Sequence, residues 1–290
     1  MDTPITIKEV DRDAPVASPF LPGTQIQYCW DSTSLGYLKV CPRLYQYIMI
    51  EGWSERDESI HLWFGKEFHS ALEEYDHFKI EGANHDEATR LAIQALLVRI
   101  HGCSVDETVK AGKYKNPHNL VQLVIDYLDK YKDDAATTFI LQDGRPAVEL
   151  SFRFELDWGP KQDDVVAWPQ PYLLSGHLDR VVDFQGNLFV MDRKTTTTTP
   201  GPYYFNQFEP NNQMTLYTLA SQVVLASPIK GVIIDAAQIL LEKPNNFQRG
   251  FTYRTPDQLE EWTRDLRYWL TLAEQYATIG YWPMNDTACD

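Results

Sequence analysis

The chain has 290 residues, long enough to bury a sizeable core, and its 43% hydrophobic and 13% aromatic content excludes a disordered chain. A formal net charge of −15 excludes a surface that binds polyanions broadly, but leaves room for a confined basic groove or for carboxylates gathered around a cation. No apolar run reaches the roughly 18 residues of a membrane span, Met1 to Pro22 lacks an apolar signal core, and the scattered Cys29, Cys41, Cys103 and Cys289 do not form a disulfide scaffold. A cytoplasmic protein without a signal peptide is the expectation.

In chain order, residues 1–24 are polar and Pro-rich and are expected to form a disordered arm. Residues 32–50 open on capping residues and continue with apolar spacing, so they predict a helix, which Pro42 kinks or restarts. Residues 59–82 predict a second helix with Phe64, Phe68, Ala71, Leu72 and Tyr75 as one apolar stripe. Residues 84–102 and 116–134 predict two more. The pattern then turns to period two. Residues 147–156 read as a strand, and "YLLSGHLDRVVDF" and "NLFVMDRKT" as two strands around the turn signal Gln185-Gly186. Residues 211–226 return to helical spacing and 231–242 to a strand. The closing helix starts at a capping box of Thr255 and Gln258 with Pro256 at its first position, buries Leu259, Trp262, Leu266 and Trp269, and stops at Gly280. One α/β domain over 25–290 is expected, with a helical part over about 32–134, a sheet core over about 145–242 and the closing helix over about 255–280.

The hairpin raises a question of chemistry. If Gln185-Gly186 is a two-residue loop, Phe184 faces Asn187 and residue i faces 371 − i, so Asp179 falls opposite Asp192. Cross-strand Cβ atoms on one face lie about 4.5–5.5 Å apart. Period two puts Lys194 on the same face as Asp192 and turns Arg193 away. Two carboxylates that close, among Val181, Val182, Leu188 and Val190, repel and lose solvation, and a divalent cation with oxygen ligands relieves both costs. An ordinary Asp–Lys ion pair at a strand end would account for the same residues.

"GHLDRVVDFQGNLFVMDRKT" resembles the core hairpin of the PD-(D/E)XK nuclease superfamily, in its RecB-like branch: Gly176, Leu178, Asp179 and Arg180 on the first strand, then Asp192, Lys194 and Thr195. "FGKEFH" resembles the branch's helical motif with Gly65 and His69, "NNQMTLYTLA" its glutamine–tyrosine motif with Gln213 and Tyr217, and "SLGYLKVCPRLYQY" its N-terminal helix. The likeness runs over roughly residues 32–289, and the order and spacing of the motifs carry it. It implies a restriction-endonuclease-like core, a mixed and mainly antiparallel central sheet flanked by helices, with a helical N-terminal portion.

By that resemblance, Asp179, Asp192 and Lys194 are catalytic, and Mg²⁺ or Mn²⁺ is held by His69, Asp179, Asp192 and the backbone carbonyl of Arg193. Lys194 orients the attacking water, and Gln213 and Tyr217 contact the substrate backbone. Glu149 and Glu155 on the neighbouring strand are candidates for a further carboxylate. His177, which faces Lys194 in the same register, is an additional candidate. The aromatic segment "GPYYFNQFEPNN" could line a strand channel by base stacking, and loop packing explains it equally well. Many members of the branch carry a [4Fe–4S] cluster on four cysteines. Cys41 and Cys289 stand where two of its ligands would, so a cluster is implied only if further cysteines follow.

The resulting expectation is a metal-dependent DNA exonuclease acting on single strands or DNA ends in a bacterial or phage-infected cell, with a role in repair, recombination, phage or mobile-element biology implied by resemblance alone. The alternative is a catalytically silent DNA-binding or assembly protein that keeps the nuclease fold. No membrane partner is expected.

Overall fold

Local signals set most of the element boundaries. The structure is a computed structural model, and the residues described are 20, 24–55, 59–102, 112–158, 171–225 and 227–288. Nearly all of the expected N-terminal arm lies outside them. Helix α1 (Ser32–Val40) is capped by Asp31, whose carboxylate accepts from Ser34 N at 2.7 Å. It breaks at Cys41, which is extended at φ −159°, because Pro42 brings no N–H and disfavours a helical residue before it. Helix α2 (Pro42–Tyr45) restarts at that proline and runs on as a π-helical turn over Gln46–Ile50. Helices α3 (Ile60–Ile80), α4 (His85–Gly102) and α5 (Pro117–Lys130) then pack together. The predicted stripe of α3 is buried at Phe64, Phe68, Ala71 and Leu72, against Leu96 of α4 and Leu120, Leu123 and Val124 of α5.

Among the described residues, seven strands form one mixed sheet: β1 (Cys29–Trp30), β2 (Ala136–Thr138), β3 (Val148–Glu155), β4 (Leu173–Phe184), β5 (Asn187–Thr196), β6 (Ile229–Gln238) and β7 (Asn246–Thr252). The long strand β4 carries β3 and then β2, both antiparallel, along one edge. Along the other edge it carries β1 in parallel at its start and β5 antiparallel at its end. A crossover through α6 (Pro202–Asn206) and α7 (Asn212–Leu225) brings β6 parallel to β5, and β7 closes the sheet antiparallel to β6. Helix α8 (Pro256–Ile279) has both bonds of the expected capping box.

Helices flank both faces of the sheet. Trp30, Leu178, Val190, Leu216, Leu266 and Trp282 belong to the core under α1, α7 and α8, while Ala237 and Ile239 belong to the core under α3, α4 and α5. The buried stripe of α8 is Trp262, Leu266, Leu270 and Ala273, with Leu259 and Trp269 only half-buried, so its contact face continues further along the helix than the sequence spacing suggested. The threonines after β5 turn the chain out of the sheet: Thr198 N donates to Thr196 Oγ1 at 2.9 Å, and Gln238 Nε2 donates to Thr199 Oγ1 at 3.2 Å.

Where β6 meets β7 the two backbones approach closely. A Cβ placed on Gly231 would stand 2.5 Å from the Thr252 carbonyl oxygen, which belongs to a strand and cannot swing aside. Gly231→Ala is therefore expected to destabilise the fold by about 1–3 kcal/mol, read as a lowered urea midpoint with little change in slope.

Candidate active site

Gln185 (φ 54°) and Gly186 (φ 75°) both take the left-handed backbone that a two-residue hairpin loop of this hand requires. Phe184 pairs with Asn187 and Arg180 with Met191, the register read from the sequence. The β4–β5 ladder ends there, one pair before Asp179 and Asp192. Beyond it the strands part, and Asp179 Oδ2 accepts the Arg193 backbone N–H at 2.9 Å. Strand β5 continues in its ladder with β6 out to Thr196. The opening between β4 and β5 lets side chains from both helical layers reach one place.

From α3 comes His69, its Nδ1 3.3 Å from Asp179 Oδ2. Its ring also makes a hydrogen bond with the Arg193 backbone that favours the protonated imidazole, as donation to a carbonyl does. From β3 comes Glu149, opposite Asp179 between the pairs Val148–Arg180 and Leu150–Leu178. Glu149 has φ 45°, a left-handed backbone that costs a side-chain-bearing residue about 1–3 kcal/mol and persists only where the surroundings enforce it. His69, Glu149 and Asp179 each offer a ligand atom within 4.8 Å of the others.

Beside this trio stands a second group. Lys194 Nζ donates to Asp192 Oδ1 at 3.0 Å and to Gln213 Oε1 at 3.1 Å, and Gln213 Nε2 donates to Tyr217 Oη at 3.0 Å. Gln213 and Tyr217 lie one turn apart on α7, so one helix face supplies both. Asn211 accepts the N–H groups of Gln213 and Met214 and fixes the start of that helix. Period two holds through the strand end. Asp192 and Lys194 face α7, whereas Arg193 points through the sheet to Asp76 of α3, at 2.6 Å.

The electrostatics of the site favour a bound cation. Burial, then the neighbouring Asp179 and Glu73, push Glu149 up to about 7. Burial raises Asp192 as well, against the pull of Lys194. Asp192 is 1% exposed, and no hydrogen bond reaches its buried Oδ2, although Lys194 Nζ is 2.9 Å away. His69 is pushed down by burial despite Asp179, which favours the neutral ring that a metal requires. Burial also acts against charge on Lys194, but Asp192 and Asp179 carry it above the ordinary lysine value, so it is an ammonium donor at neutral pH. An imidazole and clustered, buried carboxylates are a donor set that fits a hard divalent cation.

The sequence candidates separate accordingly. His69, Glu149, Asp179, Asp192, Lys194, Gln213 and Tyr217 converge, and the Arg193 main chain lies among them. His177 does not pair with Lys194, because the ladder has already ended. It is exposed and bonded to Ser151 at 2.9 Å. Glu155 pairs with Leu173 at the far end of β3. Cys41 is buried, and its Sγ accepts from Asn285 N at 3.4 Å. Cys29 Sγ is 3.1 Å from Ser175 Oγ, and Cys289 lies outside the described residues. The described cysteines thus do not gather into the four-thiolate set that an iron–sulfur cluster takes.

Comparison with known proteins bears on the same residues. The family model of the PD-(D/E)XK nuclease superfamily matches residues 32–290. The chain belongs to that superfamily. Its mixed sheet between helices is the fold of that family, whose members use divalent metals. Among solved structures, the chain is similar to a "Putative exonuclease" from Eubacterium rectale, with a TM-score of 0.52 at 10% identity over 91% of this chain and 86% of that one. That likeness is one of fold. The structure of SSO0001 also aligns, with a TM-score of 0.28 at 11% identity over 81% of this chain and 86% of that one, too slight to bear on the fold. No curated protein matches the chain. Among the described residues, no helix is long and apolar enough to cross a membrane.

Proposed function

We propose that this member of the nuclease superfamily is a metal-dependent DNA exonuclease of the RecB-like branch, acting on single strands or DNA ends, with residues 25–290 as one nuclease domain. The observation that carries the reading is the meeting of His69, Glu149 and Asp179 within 4.8 Å, beside Asp192 and the Lys194–Gln213–Tyr217 chain. His69, Asp179, Asp192 and the Arg193 carbonyl would hold Mg²⁺ or Mn²⁺, with Glu149 as a further ligand. A cation bound there supplies positive charge to the phosphate and makes a bound water acidic enough to attack at neutral pH.

The chain's own groups do the rest. Lys194 keeps its proton and donates, so it orients the attacking water and neutralises charge growing on the phosphate instead of acting as the base. Asp192 and Gln213 hold that ammonium from two sides. Tyr217 holds Gln213 and, with it, lies along the path of the substrate backbone. Incubation with labelled single- and double-stranded DNA, with Mg²⁺ or Mn²⁺ and with EDTA, tests the reading. Cleavage that EDTA does not stop, or no cleavage under any of these conditions with DNA binding retained, counts against it; the second outcome favours the silent DNA-binding alternative.

The raised carboxyl of Glu149 gives a pH-dependent expectation. Its folded value, about 7, lies above its unfolded value, so the cation-free folded state binds more protons than the unfolded state between the two. Stability from this group therefore falls as pH rises through that window. A divalent cation restores it by replacing the proton. Calorimetry should show Mn²⁺ raising the melting temperature more at pH 8 than at pH 5.5, and a shift independent of pH would remove Glu149 from the ligand set.

A further inference from the structure

The π-helical turn after α2 carries an exposed aromatic surface. Tyr47 and Trp53 stack with ring centres 5.1 Å apart and planes 21° from parallel, and Trp53 N donates to Tyr47 O at 2.9 Å. Arg43 is anchored by its Nε on the Trp282 carbonyl at 2.7 Å, and its guanidinium carbon lies 5.9 Å from the Tyr47 ring centre and 5.5 Å from that of Tyr281. Trp53 is 64% exposed and Tyr281 59%, so core packing does not account for these rings. A π-helical turn is rare and frequently marks a functional site.

The surface is joined to the candidate active site. Lys39 Nζ, near the end of α1, lies 3.4 Å from Asn212 Oδ1, and Asn212 Nδ2 donates to Ser32 O at 3.1 Å. Asn212 directly precedes Gln213, which holds Lys194. Lys39 thus lies at the start of α7, beside the residue that precedes Gln213, and Arg43 follows it four residues later in the chain. The stacked rings lie beside Arg43, which has Glu51 nearby, and after the half-buried Lys39, which has Asp265 nearby, in a chain whose net charge is −15. Cations spaced along a path track a phosphate backbone, and rings held in place before binding accept bases of any sequence.

We infer that Tyr47, Trp53 and Tyr281 form a stacking platform for single-stranded DNA, with Lys39 and Arg43 holding the phosphates between it and the active site. The inference rests on the nuclease reading and names where that substrate's distal nucleotides lie. The test is fluorescence anisotropy of end-labelled oligothymidylates, short (about four nucleotides) and long (about twelve nucleotides), in EDTA so that binding is read without cleavage. Trp53→Ala is expected to weaken long-strand binding about tenfold, with a much smaller effect on the short strand. Arg43→Ala is expected to weaken it further and to flatten its salt dependence. Both variants should keep the parent's circular dichroism. The inference is overturned if Trp53→Ala and Arg43→Ala bind the long strand as the parent does at every salt concentration. It is equally overturned if sedimentation shows the platform joining two copies of the chain and Trp53→Ala releases monomers without changing DNA binding. Hydrolysis of a thymidine 5′-nitrophenyl phosphate ester by the unaltered protein, read separately, reports on the nuclease reading alone.

Discussion

Lys194→Ala is expected to lower DNA cleavage by at least about a hundredfold, the usual cost of removing one donor aimed at developing charge. The arrangement around Lys194 explains why no neighbour would substitute. Its ammonium is held by Asp192 at 3.0 Å and by Gln213 at 3.1 Å, on the strand that also presents the Arg193 main chain. Gln213 keeps its bond to Tyr217 in the variant but offers no charge. Removing the lysine also leaves Asp192, at 1% exposure, without its ion partner. The carboxyl then answers by binding a proton more tightly, since a neutral acid is far less costly to bury than an unpaired anion. Cation binding should therefore depend more steeply on pH in Lys194→Ala, strengthening as pH rises. Initial rates on labelled DNA, with Mn²⁺ binding followed by calorimetry at two pH values, separate the two effects. Cleavage by Lys194→Ala at the parent's rate would place the chemistry elsewhere.

The sequence was most legible where one period governed several residues. The hairpin register followed from Gln185-Gly186 as far as the Arg180–Met191 pair, and period two gave the two directions taken by Lys194 and Arg193. The capping box of α8 and the break at Pro42 were equally plain, because each is set by local backbone chemistry. What did not show was the parting of β4 from β5. It depends on β5 following β6 and on Asp179 taking the Arg193 N–H, both long-range events. That parting is why His177, opposite Lys194 by arithmetic, bonds Ser151 instead. Glu149 was legible as a carboxylate on the right strand. Its left-handed backbone was not, since nothing in its neighbours demands it. Strands β1 and β2 are too short for a period to register, and β7 carries Arg249 between Phe247 and Phe251, where alternation would want an apolar residue.

Asp76→Ala is expected to cost about 3–5 kcal/mol of stability, the range for leaving a buried charge without its partner. Asp76 is 4% exposed and Arg193 2%, and the Nη2–Oδ2 distance is 2.6 Å. Arg180 Nε lies 3.8 Å from the same carboxylate oxygen but keeps its bonds to Thr138 Oγ1 at 2.9 Å and the Ala136 carbonyl at 3.3 Å, so Arg193 is the guanidinium that the alanine strands. Asp235, paired with Arg193 across β5 and β6, also favours its charge, but no hydrogen bond joins the two side chains and Asp235 Oδ2 is held by Tyr127 at 2.6 Å and Arg249 at 3.1 Å, so it compensates only in part. The loss should reach the active site through the helix. Asp76 and His69 are two turns apart on α3, on one face, so the ion pair that docks α3 on β5 also sets the distance from His69 to Asp179. Asp76→Ala should therefore weaken Mn²⁺ binding as well as lower the urea midpoint. Asp76→Leu combined with Arg193→Met removes both charges and keeps the volume, and should recover most of the stability. Because only the backbone of Arg193 faces the active site, the double variant should also recover Mn²⁺ binding. Recovery of stability without recovery of binding would instead mean that the Arg193 charge itself, through the sheet, sets the affinity of the carboxylates for the cation.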